Sequence, residues 1–266
     1  MKTMKQICLI FALYEKNDLY KEGIEFFIQH AILDEIDYYF VVNGETSVEI
    51  PDRENITVLR RKNEGFDFGA WSYGLRFLKH KKYLYYFFAN SSVTGPYMEN
   101  KNIKWYIPFI DLFKLDIYAV GTGIDTMALW MEPRMVRAYG DFFVEKFGKK
   151  YIYATLCSAF FCLNIDGLRF LESIDFFNEE TCNTYTTLSD VIFNKEIAMS
   201  QYILNGGKNI DCLIRPYKGI DYRLCTVNLN KNDFGSTGAG SYFTHGIKPE
   251  HVIFYKYART WFVPKL

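Results

Sequence analysis

From residue 6 to about residue 120 the chain alternates short apolar runs with segments whose apolar residues recur every three or four positions. Runs rich in β-branched and aromatic residues predict strands, and the helical recurrence predicts amphipathic helices, so this stretch reads as repeated βα units around a parallel sheet. The first strand covers 7–13, Ile-Cys-Leu-Ile-Phe-Ala-Leu. A helix follows, with Asn17 and Asp18 as caps and Tyr20, Ile24, Phe27 and Ala31 on one face, widened by Phe26 and Ile28. Further strands are predicted over 36–42, closed by Asn43-Gly44, over 56–59, and over 83–88. The last of these is apolar on both faces, as a central parallel strand requires.

Beyond Gly95-Pro96 the pattern predicts strands over 116–120, 159–163 and 210–214 and helices over 133–147, 166–174 and 189–205. Residues 228–246 are rich in Asn, Gly, Ser and Thr and read as a loop. No repeat, charge block or linker-like segment divides the chain, so one α/β domain over 1–266 is expected, with a mostly parallel central sheet flanked by helices. A content of 49% hydrophobic and 23% charged residues excludes a disordered chain. The 31 basic side chains are balanced by 31 acidic ones, which argues against a nucleic-acid partner held by broad phosphate neutralisation. The apolar run at 7–13 is far short of the ~20 residues that span a bilayer, so no transmembrane segment is expected. Lys2 and Lys5 precede that run as in a signal peptide, but Tyr14-Glu15-Lys16-Asn17-Asp18 follows it in place of a cleavage site, and a cytoplasmic location is the expectation. The 6 cysteines include no CxxC pair and read as buried free thiols. On that footing the Asn-x-Ser/Thr triplets at Asn55 and Asn90 carry no glycan.

Four segments offer chemistry. Asn63-Glu64-Gly65-Phe66-Asp67-Phe68-Gly69-Ala70-Trp71 lies between a strand and a helical stripe, at the carboxyl edge of a parallel sheet, where open α/β proteins bind ligands. Asp67 there is either a helix cap or an acceptor for hydroxyls of a nucleotide or sugar, and Asn63 and Gly65 are either turn residues or part of that site. Asn90-Ser91-Ser92-Val93-Thr94-Gly95-Pro96 ends an apolar strand abruptly in small polar residues, which are either a Ser/Thr-rich turn closed by Gly-Pro or a site suited to a diphosphate or sugar and poor for a hard cation. In the helix predicted over 189–205, Asn194 offers a cap that would place Glu196 in a first turn, or Glu196 is a general base for an acceptor hydroxyl. His245 and His251, with Glu250 between them, make a weak metal signal in what reads first as loop structure. GxSxG, P-loop and Rossmann glycine patterns are absent from the sequence.

Taken in order, these phrases resemble glycosyltransferases of the A fold, and specifically the rhamnan-synthesis protein F type of polysaccharide glycosyltransferases. The first segment resembles that family's phrase after its third strand. The second corresponds to an Asn-Asp-Ser-x-x-Gly-Pro phrase, with Ser91 in place of the Asp of the metal-holding Asp-x-Asp region. Glu196 and Gly207 reproduce the spacing of the Glu-Asp helix of family 2 transferases, although Lys195 stands where the first acid is usual. Residues 249–256 resemble a C-terminal phrase ending in Phe-x-Lys.

The resemblance implies an inverting transfer of a sugar from a dTDP-, UDP- or GDP-linked donor to a hydroxyl of a glycan or lipid-linked glycan, in polysaccharide synthesis. A lipid-linked acceptor would place the protein peripherally at a membrane surface. Glu196 would be the catalytic base, with Asn63, Gly65, Asp67, Asn90, Ser91, Ser92, Lys248 and Lys256 on the donor side. Charge on the leaving diphosphate would fall to Mn²⁺ or Mg²⁺ held by another carboxylate and His245, or to Lys248, Lys256, Arg259 and helix N-terminal amides. Residues 1–120 would form the nucleotide-sugar half and 121–266 the acceptor and catalytic half, with 228–246 as a lid. Two other readings stay open: a non-catalytic saccharide- or partner-binding relative, favoured by Ser91 and Lys195, and a sugar nucleotidyltransferase, disfavoured because Ala12-Leu13-Tyr14-Glu15-Lys16 replaces the Gly-rich basic loop it would need.

Overall fold

In the computed structural model, the described residues are 5–78, 81–128, 141–150, 152–224 and 247–256. Strands β1 (Ile7–Leu13), β2 (Ile36–Asn43), β3 (Ile56–Arg61) and β4 (Tyr85–Asn90) pair in parallel, as the alternation predicts. They belong to a seven-stranded sheet of order β10-β6-β9-β4-β1-β2-β3, completed by β6 (Ile117–Gly121), β9 (Phe160–Asn164) and β10 (Asn209–Cys212). Strand β9 is antiparallel to both neighbours, β4 and β6, and the others share one direction. The expected mixed α/β architecture with a mostly parallel central sheet flanked by helices is what the chain forms. Strand β4 starts two residues later than the apolar run and continues to Asn90, so the polar phrase begins on the strand itself.

Alternation along β1 divides the core. Cys8, Ile10 and Ala12 pack on one face with helix α2 (Phe66–Phe77), while Ile7, Leu9, Phe11 and Leu13 pack on the other with α1 (Asp18–Ala31). Asn17 caps α1 by accepting from the Tyr20 amide at 3.2 Å, and Ile24, Phe27 and Ala31 form its buried stripe. Trp71 is fully buried against Phe88 and Phe161, and its indole N–H donates to the Ala89 carbonyl at 3.1 Å. That bond ties the middle of α2 to the end of β4. All five described cysteines, Cys8, Cys157, Cys162, Cys182 and Cys212, are free and buried. Among the described residues no helix is long and apolar enough to cross a membrane.

The helix expected over 189–205 is built in pieces. Short helices α3 (Ile107–Ile110), α4 (Ile165–Ser173) and α5 (Glu179–Asn183) precede it. Helix α6 (Leu188–Val191) then runs through a π-helical turn (Ile192–Ile197) into α7 (Ala198–Asn205). Thr187 is its cap, accepting from the Asp190 amide at 3.2 Å. Asn194 is therefore no cap: it sits inside the helical stretch, donating to the Asp190 carbonyl at 3.0 Å, and Glu196 is not in a first turn. Helix α7 docks against β8 (Ile152–Leu156), which pairs on its other side with β7 (Ile124–Ala128). Buried polar side chains of α7 replace a neighbouring strand there: Ser200 accepts from the Leu156 amide at 2.9 Å and Gln201 donates to the Ala154 carbonyl at 2.6 Å. Both are fully buried, which is tolerable only because each is paired. Ser200→Ala leaves the Leu156 amide without that partner and is expected to cost about 1–3 kcal/mol in urea unfolding; a cost below about 0.5 kcal/mol would show that this bond does not hold α7 to β8.

Candidate functional site

The carboxyl edge of the sheet gathers the ends of β1, β2, β3 and β4. Between β3 and α2 the backbone turns through two consecutive residues in the left-handed region, Gly65 at φ +66° and Phe66 at φ +53°. Glycine is required at 65 on two counts, because a Cβ there would also lie 2.3 Å from the Cys182 carbonyl oxygen of α5. Phe66 has no such freedom and carries backbone strain. The turn delivers Asp67 into the first turn of α2, where Gly65 occupies the cap position without a side-chain bond, so Asp67 is not the cap. Its Oδ2 instead accepts from Asn90 Nδ2 at 2.7 Å.

The polar phrase after β4 divides its labour. Asn90 Oδ1 accepts from the Ser92 amide at 3.0 Å and from the Ser92 hydroxyl at 2.6 Å, which fixes the amide group toward Asp67. The Ser91 hydroxyl accepts from the Tyr14 amide at 2.7 Å and donates to the Ala12 carbonyl at 3.2 Å, closing the end of β1. Strand β5 (Val93–Thr94) then pairs antiparallel with β11 (Tyr255–Lys256). This two-residue pairing brings the end of the described chain alongside the phrase that began at Asn90. Lys256 is buried there, and its Nζ lies 3.8 Å from Glu196 Oε1.

Glu196 reaches this edge from the π-helical turn, a widened geometry common at functional sites. Its neighbour Lys195 takes the opposite course. The Lys195 amine is buried over the Phe176 ring at 4.5 Å and donates to the Phe176 carbonyl, and desolvation lowers its pKa. Asp67 feels the convergence directly. Burial pushes its carboxyl up to about 6, the charge of Glu196 adds to the rise, and the Asn90 bond and Lys256 oppose it. Three segments far apart in sequence thus supply two carboxylates and an amine to one edge: a potential proton acceptor, a hydrogen-bond acceptor and a cation.

Other expected site residues are placed differently. Asn63 is exposed on the turn, and Lys248 is exposed at the entrance to α8 (Pro249–Val252). His251 Nδ1 accepts from the Lys248 amide at 3.2 Å, so its ring serves the helix start. His245, Arg259 and the loop over 228–246 lie outside the described residues. Among the described residues no group of three or more His, Cys, Asp and Glu side chains is placed to hold a metal ion. Where Asp67 and Glu196 converge, two carboxylates with the Lys256 amine against one of them are a donor set that does not fit a divalent cation.

Sequence reasoning missed the residues that hold the turn. Arg61, at the end of β3, donates through Nη1 to Asn43 Oδ1 at 2.9 Å and to the Glu64 carbonyl at 2.8 Å, and through Nη2 to Asn183 Oδ1 at 2.7 Å. The signal was an arginine closing one strand in register with an asparagine closing its neighbour, since Asn43 pairs with Arg61. Asn183 had no local signal. Glu15 was likewise unremarked; it accepts from Thr46 and Ser47 and joins the loops after β1 and β2.

No family model and no curated protein matches the chain. Solved structures do resemble it, and those that follow are glycosyltransferases. A mannosyltransferase from Pyrobaculum calidifontis in complex with GDP-Man and Mn²⁺ is 11% identical over 79% of this chain and 55% of its own, with a TM-score of 0.42. Core-mannan synthase A from Aspergillus fumigatus, in an Mn/GDP form, is 11% identical over 80% of this chain and 74% of its own, at 0.44. Mouse xyloside xylosyltransferase 1, in its apo form, is 12% identical over 94% and 96%, at 0.45. The chain spans little more than half the length of the first of these.

The raised carboxyl predicts a pH signature. Between the unfolded value of 3.8 and the folded value of about 6, the folded protein keeps a proton at Asp67 that the unfolded chain has released. Stability therefore falls as pH rises through that window, by on the order of 2 kcal/mol. Asp67→Asn should remove this slope when unfolding free energies are compared at pH 4 and pH 7; parallel pH profiles for the two proteins would show that Asp67 ionises as an ordinary surface carboxylate does.

Proposed function

We propose that the protein is a glycosyltransferase of the A fold that moves a sugar from a nucleotide-diphosphate donor to an acceptor hydroxyl, with inversion, in the manner of the rhamnan-synthesis protein F type. The observation that carries this reading is the meeting of Glu196, Asp67 and Lys256 at the carboxyl edge, 3.8 Å separating the Glu196 and Lys256 charges. Three of the four phrases that carry the resemblance, far apart in sequence, each supply one of these residues.

In this reaction Glu196 takes the proton of the acceptor hydroxyl as its oxygen bonds to the anomeric carbon. The bond from that carbon to the donor phosphate breaks, and its electron pair leaves with the nucleoside diphosphate. The Lys256 amine, 3.8 Å from Glu196, answers charge on the departing diphosphate. Asp67, oriented by Asn90, accepts hydrogen bonds from hydroxyls of the donor. Ser92 and the start of α2 complete the donor side, and Ser91 serves by closing the β1 end against which the donor lies. Donors linked to dTDP, UDP or GDP all suit this arrangement, with a glycan or lipid-linked glycan as acceptor, and a lipid-linked acceptor would bring the protein to a membrane surface. Mn²⁺ or Mg²⁺ on the diphosphate would need ligands beyond those described, with His245 as one, and no step above passes through a metal.

Glu196→Gln should lower turnover by at least about 100-fold while leaving donor affinity within about tenfold, the pattern for loss of a base. Product formation is to be followed by mass spectrometry with a panel of nucleoside-diphosphate sugars and a glycan acceptor. Retained turnover in the variant would remove Glu196 from the base role, and binding without turnover in the unaltered protein would point to a non-catalytic saccharide-binding relative.

A further inference from the structure

The turn that presents Asp67 does not hold itself. Phe66 stands at φ +53°, a conformation that costs a non-glycine residue free energy and persists where surrounding structure enforces it. The enforcing contacts converge on Arg61. Its guanidinium spans the Glu64 carbonyl within the turn, the Asn43 side chain at the end of β2 and the Asn183 side chain of α5, at 2.8, 2.9 and 2.7 Å. Asn43 also donates to the Phe66 carbonyl at 3.4 Å. Helix α5 closes the turn from outside: a Cβ on Gly65 would strike the Cys182 carbonyl at 2.3 Å, and one on Gly69 would come within 3.0 Å of Asn183 Oδ1. The site turn is thus wedged between β2 and a helix more than a hundred residues further along the chain.

We propose that Arg61 and Asn183 form a clip that positions Asp67, so that donor affinity is set in part by a bond between β3 and α5 that no substrate touches. Arg61 is a positioning residue, acting through the turn and not on the reacting atoms. Lysine cannot replace it, since a single ammonium cannot span three acceptors with the planar fork of a guanidinium. The consequence for donor binding rests on the transferase reading; the consequence for the turn does not.

The test pairs hydrogen–deuterium exchange over residues 64–69 with calorimetric titration of nucleoside-diphosphate sugars. Arg61→Lys and Asn183→Ala should each speed exchange in that segment, with the sheet strands unchanged, and should raise the donor dissociation constant about tenfold, with kcat at saturating donor within about threefold. Asn183→Asp, which keeps an acceptor for Arg61 and adds its charge, should stay within about twofold of the unaltered protein in both readouts. Unchanged exchange at 64–69 in the first two variants would overturn the clip. Faster exchange with unchanged donor affinity would overturn its bearing on binding. If the unaltered protein binds no nucleotide sugar, the transferase reading falls, and the exchange comparison still decides the clip.

Discussion

The 2.7 Å hydrogen bond from Asn90 to Asp67 joins the last residue of the central strand to the first turn of the helix packed over it, and the candidate site is assembled around that contact. Each partner is oriented by a different part of the fold. Asn90 is fixed by Ser92 and by the residue before β9, Ala159, whose carbonyl accepts from the Asn90 amide at 3.1 Å. Asp67 is fixed by the strained turn after β3 and by Trp71, one helical turn further on, whose indole N–H is anchored to the Ala89 carbonyl. The apolar packing of Trp71 against Phe88 and Phe161 therefore does more than fill the core: it sets the height of α2 over the sheet edge and with it the place of the carboxylate.

Of the three described non-glycine residues at positive φ, Phe66, Asp175 and Ile253, two stand close in sequence to a charge delivered to the edge. Phe66 precedes Asp67 directly, and Ile253, a β-branched residue at φ +65°, lies three residues before Lys256. In both places packing holds the unfavourable conformation. The Ile253 carbonyl accepts from the Tyr97 amide at 2.8 Å, and Phe254 stacks on Phe160 with ring centroids 3.8 Å apart. The π-helical turn at Glu196 is a third local irregularity. Local conformational preference is overridden at all three points that bring charge to the edge, which is the pattern expected where a site is preorganised.

Much of the sheet was legible in the sequence because apolar alternation and runs such as 7–13 leave little choice of element. The Asn17 cap, the α1 stripe and the buried free cysteines follow from the same local rules. What local rules cannot supply is orientation and partnership across the sheet. The antiparallel sense of β9 and the Arg61–Asn183 bond depend on residues tens of positions away, whereas the helix start at Thr187 is a local cap, with Asp190 three residues on, that the reading of Asn194 passed over. The candidate site was partly legible: the phrases around Asp67, Asn90, Glu196 and Lys256 pointed to one edge through their family resemblance. The division of labour among Asn90, Ser91 and Ser92, and the opposite facing of Lys195 and Glu196, are consequences of packing that no spacing rule encodes.

The central claim is that this edge holds a nucleoside-diphosphate sugar through the Asn90–Asp67 pair. Thermal unfolding of the unaltered protein and of Asn90→Ala, measured with uridine, deoxythymidine, guanosine and cytidine diphosphate sugars, each with and without Mn²⁺, tests it most directly, since a bound ligand stabilises the folded state by mass action. The expected result is a rise in melting temperature for one nucleotide class that is lost or much reduced in Asn90→Ala. A contradiction would be no rise with any nucleotide sugar, or an equal rise in the two proteins.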